Sequence, residues 1–379
     1  MRMKKLGILK EKNEEPRVCM VPQVVKKLIN ELKFEVYVEE NAGIKAGFSN
    51  EMYLNEGAFI MKNVEKLANL DIIIFINYPE YPFACGDHVK LIGIINPLFH
   101  FKQLDESKKI NQLYSLDLMP RSTKAQAMDV MSSMASLSGY KAVIKGAEKH
   151  MSLLPMITTA AGTVKPAKVL VLGAGVAGLQ AIATAKRLGA VVNAFDVRKS
   201  AGEEVRSLGA NFIEVEGAIE NENAGGYAVE QSTDYLEKQR LLIDKHVSEA
   251  SIVIATANIP GKRAPLLIEK QSVEKMKVGS VIIDLASEQG GNCAYTKDDE
   301  EIEINGVKII GNSFLSRELA FTASNLLATN YFNFLKHLEL IEKNEQKNDP
   351  IIEACLVLEK DQLVNDRVRQ FVHADLQTK

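Results

Sequence analysis

A chain of 379 residues exceeds one typical core, so two domains are expected. A formal net charge of −3 leaves no general basic field to attract nucleic acid, and 46% hydrophobic with 25% charged residues is the balance of an ordinary globular protein. Four scattered cysteines without a CxxC pair point to reduced thiols, and six separated histidines give no metal-ligand spacing, so no metal is expected.

The opening MRMKKLGILKEK has neither the apolar region nor the cleavage site of a secretory signal. The longest apolar stretches, 71–76 and 91–98, fall far short of a membrane span, and a soluble chain is expected. Residues 5–9 read as a first strand, followed by Glu15-Pro16-Arg17-Val18 and an amphipathic helix from Val21-Pro22 to near Leu32. Further strands are expected at 34–38, 71–76, 91–95 and 112–116, and helices at 50–56 and 63–70, around a glycine-punctuated loop over 41–48. This alternation predicts a parallel α/β domain. Residues 117–150 are rich in small side chains and read as one long helix after a Pro-Arg start, leading into a second domain.

The second domain centres on 168–198. The apolar run KVLVL predicts a buried strand that enters Gly173-Ala174-Gly175-Val176-Ala177-Gly178, then a helix over 179–188, a strand over 191–195 and Asp196. Gly173 suits the tight turn, Gly175 the approach of a pyrophosphate, and Gly178 the close packing of helix on strand. The diphosphate belongs on the helix N-terminus, and Asp196 accepts from the adenosine ribose and repels a 2′-phosphate. Strand, glycine turn, helix and acid at this spacing imply an NAD(H) site. Strands follow at 211–215, 251–256, 280–285 and 308–310, with a lid expected within 217–249 around Gly225-Gly226-Tyr227, ahead of a charged helix over 234–246. Residues 316–340 read as a second long helix returning to the first domain, 342–350 as a charged linker, and 356–373 as a hairpin or docking tail.

Thr123-Lys124-Ala125-Gln126 fits a capping box, with Asp129 a solvated position on the same helix. Alternatively, Gln126 and Asp129 share one helical face behind Arg121, a cluster able to hold a nicotinamide amide and ribose by oriented hydrogen bonds. The residues alone leave both open.

The fingerprint, Asn258-Ile259-Pro260-Gly261-Lys262, and Asp284-Leu285-Ala286-Ser287-Glu288 with Gly290-Gly291-Asn292 resemble the alanine dehydrogenase and nicotinamide nucleotide transhydrogenase superfamily. Glu15-Pro16-Arg17-Val18 and the Ala42-Gly43…Ala46-Gly47-Phe48 loop resemble its N-terminal domain. Met119-Pro120-Arg121…Gln126…Asp129, with Ser132 and Gly139-Tyr140, is similar to the transhydrogenase branch, and the likeness covers roughly 5–340.

The resemblance implies two Rossmann-like or flavodoxin-like parallel-sheet α/β domains, 1–134 completed by 316–379, and 135–315, joined by two long helices with the cofactor in the cleft. It implies Arg121, Gln126 and Asp129 at the nicotinamide. The cofactor-binding residues would be Ser132, Gly173, Gly175, Val176, Gly178, Asp196, Val197, Arg198, Gly226, Tyr227 and Ala257. It further implies hydride transfer from NADH to NADP+ carried by a separate NADP(H)-binding subunit, and coupling to proton movement through a membrane-spanning subunit. The component would be a homodimer, cytoplasmic and peripheral on the inner membrane. With no span before Lys379, a separate-polypeptide form is expected. Dehydrogenases of the superfamily use a lysine near the third strand and a histidine beyond it, with an arginine gripping the substrate carboxylate. Here Asn77 stands roughly at the lysine position, His100 follows in an unmatched setting, and Arg17 remains. An NAD-dependent amino-acid dehydrogenase and a non-catalytic NAD-sensing module are the alternatives.

Overall fold

The computed structural model describes residues 2–377, apart from 13, 63–66, 68, 80–87, 105–109, 216–231, 260 and 346–347. The chain forms two units, Met1–Ser133 with Arg317–Lys379, and Met134–Ser316.

The first unit opens with β1 (Lys5–Ile8), α1 (Pro22–Leu32), β2 (Glu35–Glu39), α2 (Asn50–Asn55), β3 (Phe59–Met61) and β4 (Ile72–Ile74). It continues through β5 (Lys90–Gly93), α3 (Pro97–Leu104) and β6 (Gln112–Ser115). Pro22 starts α1 without losing a bonded N–H, and Lys33 ends it in the left-handed conformation. Helix α4 (Val130–Lys149) carries the chain across the boundary between the units.

The second unit continues with a hairpin, β7 (Ile157–Thr159) and β8 (Gly162–Val164), then β9 (Lys168–Leu172), α5 (Val176–Arg187), β10 (Val191–Phe195), α6 (Ala201–Ser207) and β11 (Asn211–Ile213). After it come α7 (Thr233–Glu249), β12 (Ile252–Ala255), α8 (Lys270–Glu274), β13 (Val281–Asp284), β14 (Glu301–Ile304) and β15 (Val307–Gly311). The chain then returns to the first unit as α9 (Ala320–Lys343), α10 (Pro350–Cys355), β16 (Leu356–Glu359), β17 (Gln362–Leu363) and α11 (Asp366–Gln377).

Both main sheets are doubly wound. The first runs β17-β16-β6-β5-β4-β1-β2-β3, parallel from β1 to β6, with β16 and β17 added antiparallel. The second runs β11-β10-β9-β12-β13-β15-β14, parallel except for β14. Its central strands β12 and β13 are buried at every residue, which explains their run of Ile, Val and Ala, broken only by Asp284 at the end of β13. In each sheet the strand order reverses once, between β1 and β4 and between β9 and β12. A crevice for a ligand opens at such a point, outside the carboxyl ends of the strands.

Three expectations need correction. Residues 117–150 are not one helix: 3-10 turns cover Leu116–Leu118 and Gln126–Met128, and the α-helix starts at Val130. Asp129 breaks the run by adopting an extended backbone, φ −77° and ψ 94°. The second long helix begins at Ala320, after a 3-10 turn over Leu315–Leu319. The tail is a short hairpin stitched to β6 and then a helix, α11, whose Asp366–Gln377 pattern the weak alternation concealed. Parts of the helix expected at 63–70 and of the segment expected at 217–249 lie outside the described residues.

Candidate functional site

In the second unit, β9 lies between β10 and β12, with four of its five residues buried. It ends at Gly173, whose φ of +97° suits glycine alone. A Cβ there would stand 2.7 Å from Thr256 Oγ1 and 3.1 Å from the Ala257 nitrogen. At Gly178 a Cβ would lie 1.8 Å from Gly173 O, so the third glycine is required by helix-on-strand packing. Gly175 differs: its backbone suits any residue, φ −82° and ψ −167°, and a Cβ there meets nothing within 4 Å among the described residues. Folding alone therefore does not require glycine at 175.

Gly175 is also the N-cap of α5, and among the described residues no side chain caps that helix. Its first N–H groups face outward with the positive end of the helix dipole, a seat for a diphosphate. Val176 heads the helix with 44% of its surface exposed. Gly139 of α4 allows a close approach to this turn, since a Cβ there would be 2.0 Å from Ala177 O.

Asp196 follows β10, its side chain 8% exposed. Oδ2 accepts from the Ala174 N–H at 2.7 Å and from Arg198 Nη2 at 2.8 Å. Oδ1 accepts from the Arg198 N–H and Nε, each at 2.9 Å. The guanidinium is thus folded back on the carboxylate and also donates to Ala174 O at 3.2 Å. That hydrogen-bonded pairing holds Arg198 above its ordinary value. Val197 packs against the core between them. Thr256 Oγ1 donates to Gly173 O at 3.0 Å, tying the end of β12 to the glycine turn, and Ala257 follows directly. Gly226 and Tyr227 lie outside the described residues.

The first unit holds the other candidates. Arg121 is exposed in the loop after β6, and Gln126 is exposed on a 3-10 turn. Neither a capping box at Thr123 nor a shared helical face for Gln126 and Asp129 forms, because this segment is turns. Asp129 is itself the cap of α4: Oδ1 accepts from the Ser132 N–H at 2.9 Å and Oδ2 from Ser132 Oγ at 2.6 Å. Sequence reasoning missed the clamp beneath: Asn330 and Asn333 of α9 both donate to Ala127 O at 3.0 Å. Nothing local in 119–132 signals two asparagines some two hundred residues away. Gln126, Asp129 and Ser132 therefore share one immobilised turn in the first unit. The glycine turn, Asp196 to Arg198, and Ala257 sit at the carboxyl ends of β9, β10 and β12 in the second.

Family models match both portions of the chain, "Alanine dehydrogenase/PNT, N-terminal domain" over residues 7–138 and "Alanine dehydrogenase/PNT, C-terminal domain" over 142–366. An NAD(P) transhydrogenase subunit alpha polypeptide of Rhodospirillum rubrum is 44% identical over 87% of this chain and 89% of its own length. The corresponding polypeptide of Rickettsia prowazekii is 38% identical over 97% of each. The chain belongs to the alanine dehydrogenase/PNT family.

Among solved structures, a transhydrogenase from Sinorhizobium meliloti superposes with a TM-score of 0.85 at 37% identity, over 95% of this chain and all of that one. The family's dehydrogenases are more distant: an alanine dehydrogenase of Staphylococcus epidermidis is 29% identical over 76% of this chain and 73% of its own.

The residues weighed for dehydrogenase chemistry, Arg17, Asn77 and His100, all lie in the first unit. Arg17, 5% exposed, grips Glu15 through Nε and Nη2, each at 2.6 Å, and Arg317 Nε adds a bond to Glu15 Oε2 at 3.0 Å. Burial pushes the Glu15 carboxyl up, but the two guanidinium groups outweigh it and hold it below its ordinary value. Asn77 supplies no ammonium group; its amide donates to Glu11 Oε2 at 3.1 Å, as does its N–H. Burial raises the Glu11 carboxyl to about 7. His100 sits at a kink in α3, with φ −115° and ψ 26°.

Proposed function

We propose that this chain is the NAD(H)-binding alpha subunit of a proton-translocating NAD(P) transhydrogenase, passing hydride directly between NADH and NADP+ held on a partner subunit. It is an oxidoreductase subunit whose cofactor is a nicotinamide dinucleotide. The observation that supports this best is the open room in front of Gly175, at the uncapped start of α5 and beside Asp196. Those groups fit a dinucleotide diphosphate and an adenosine ribose.

The bound dinucleotide supplies the hydride. Gly173, Gly175, Val176 and Gly178 hold its diphosphate, Asp196, Val197 and Arg198 its adenosine half, and Ala257 borders the seat. Arg121, Gln126, Asp129 and Ser132 orient the nicotinamide end, Asp129 and Ser132 being stiffened by their mutual hydrogen bonds. Gly226 and Tyr227, outside the described residues, are proposed cofactor contacts. Hydride exchange between two nicotinamides moves no proton to a substrate oxygen or nitrogen, so orientation and dryness suffice and no general acid or base is needed.

The subunit name of its relatives implies a multi-subunit assembly, in which we propose an NADP(H)-binding subunit and a membrane-spanning subunit as the partners. Among the described residues no helix is long and apolar enough to cross a membrane. The place we propose, through the membrane-spanning partner, is peripheral on the cytoplasmic face of the inner membrane. A homodimer is supported by the β7–β8 hairpin, exposed at every residue and flanked by exposed Met151, Leu153 and Met156. A two-stranded hairpin is marginal alone, and its apolar surface calls for a partner copy.

The deciding experiment mixes the purified chain with an NADP(H)-binding transhydrogenase subunit and follows hydride exchange between bound nucleotides. Exchange is expected without membrane, and Arg121→Ala, Gln126→Ala and Asp129→Ala should each slow it by roughly tenfold or more, with smaller losses in NADH affinity. Alanine-dependent NAD+ reduction by the chain alone would make it a dehydrogenase. Tight NADH binding with neither activity would make it a sensing module.

A further inference from the structure

The Asp284…Gly290-Gly291-Asn292 run has no role in the chemistry above, yet Asn292 is 0% exposed and commits its whole side-chain amide to one loop. Oδ1 accepts from the Ala257 N–H at 3.0 Å, while Nδ2 donates to Ala257 O and to Pro265 O, each at 2.8 Å. One amide thereby joins both ends of 257–265, the loop that leaves the carboxyl end of β12 and contains Asn258, Ile259, Gly261 and Lys262.

Asn292 is itself anchored. Asp284, the last residue of β13 and also 0% exposed, accepts from the Asn292 N–H at 2.7 Å, the Cys293 N–H at 3.0 Å and Thr296 Oγ1 at 2.6 Å on one oxygen, and from the Ala286 N–H at 3.0 Å on the other. Main-chain Asn292 O accepts from the Leu267 and Ile268 N–H groups at 2.9 Å. At the far end, Thr256 bonds to Gly173 O, and the Ala257 nitrogen lies against Gly173. An unbroken series of short contacts thus runs from Asp284 through Asn292 and Ala257 to the glycine turn.

The sheet order decides which half of a dinucleotide this loop serves. Asp196, just after β10, lies to one side of β9 and takes the adenosine; β12 lies to the other side, across the point where the order reverses. With the diphosphate on α5 between them, the remaining half extends toward the carboxyl end of β12. We propose that Asn292 is a positioning residue: it clasps loop 257–265 at its base and so sets the wall that receives the nicotinamide half. This rests on the dinucleotide seat proposed above.

The test compares two probes, NADH and AMP, on the full chain, Asn292→Ala and Asn292→Asp, by calorimetric titration. AMP reports the adenosine end alone, which a general loss of structure would weaken equally. Asn292→Ala should raise the Kd for NADH at least tenfold while that for AMP stays within about twofold, and the Ala257 amide should exchange hydrogen faster. Asn292→Asp sets a carboxylate oxygen against the Ala257 and Pro265 carbonyls in place of both donors, so its NADH affinity should fall at least as far as that of Asn292→Ala; if one variant does not fold, the other carries the same comparison. Wild-type chain that takes up no NADH overturns the functional reading. Wild-type uptake with unchanged NADH affinity in the variants, or with equal losses for both probes, overturns the clasp alone.

Discussion

Gly175→Ala separates what folding needs from what the ligand needs. The added methyl meets nothing within 4 Å among the described residues, so its folding cost is that of alanine in place of glycine at an N-cap, about 0.5–1 kcal/mol. For a unit of this size that is a fall in Tm of at most about 4 °C. The same methyl points to where a diphosphate must approach the first N–H groups of α5. Losing one or more hydrogen bonds to a charged group costs about 1.5–3 kcal/mol, a roughly ten- to hundredfold rise in Kd for NADH. Gly178→Ala is the control: its methyl stands 1.8 Å from Gly173 O and forces helix from strand. Overpacking of about 3 kcal/mol, less about 1 kcal/mol for the better helix former, should lower Tm by about 4–8 °C. Calorimetric titration with NADH and a thermal melt on each variant suffice. A Gly175→Ala chain binding NADH within twofold of wild type would refute the placement of the diphosphate.

Asp196 should make the chain favour NADH over NADPH, and Asp196→Ala, which releases Arg198 toward a 2′-phosphate, should narrow the gap; equal wild-type affinities in a titration would sink that assignment. Tyr227→Ala should speed NADH release in stopped flow, whereas unchanged rates would remove that residue from the site. Glu11 has a pH signature. Burial raises its folded pKa from 4.5 to about 7, so the folded chain holds this proton more tightly than the unfolded chain. Its contribution is most favourable below pH 4.5 and declines through pH 7, by about 3 kcal/mol in total. Glu15 acts in the opposite sense, its depressed pKa removing stability only as pH falls below 4.5. Urea midpoints at pH 5 and pH 8 should therefore differ in wild type and converge in Glu11→Gln; an identical shift in both would place the titration elsewhere.

The elements legible in the sequence are those whose signal is local. The run at β9, the glycines after it and the acid at the end of β10 announce strand, turn and strand because each residue type is required by its own backbone or neighbours. Interactions between distant segments were not legible. The cap at Asp129 hides within a stretch of small residues that all tolerate helix, and its clamp comes from Asn330 and Asn333. Asn292 could be noticed as a member of a spaced motif, but its partners Ala257 and Pro265 are known only from the fold. The edge strands β3 and β14 are short or alternate with exposed charges, and the pairing of the β16–β17 hairpin with β6 joins segments about 240 residues apart.

That last pairing has a consequence for synthesis. The second unit is one uninterrupted stretch, Met134–Ser316, and can close as soon as it leaves the ribosome. The first sheet cannot: β6 is made by Ser115, but β16, which covers its outer edge, begins at Leu356, about 240 residues later. At about 5–20 residues per second, β6 waits roughly 10–50 s with a row of open main-chain groups on its edge. Its buried Leu113 and Tyr114 are exposed to neighbouring nascent chains for that interval. Fast decoding between residues 116 and 355 shortens the interval in which that edge stands open.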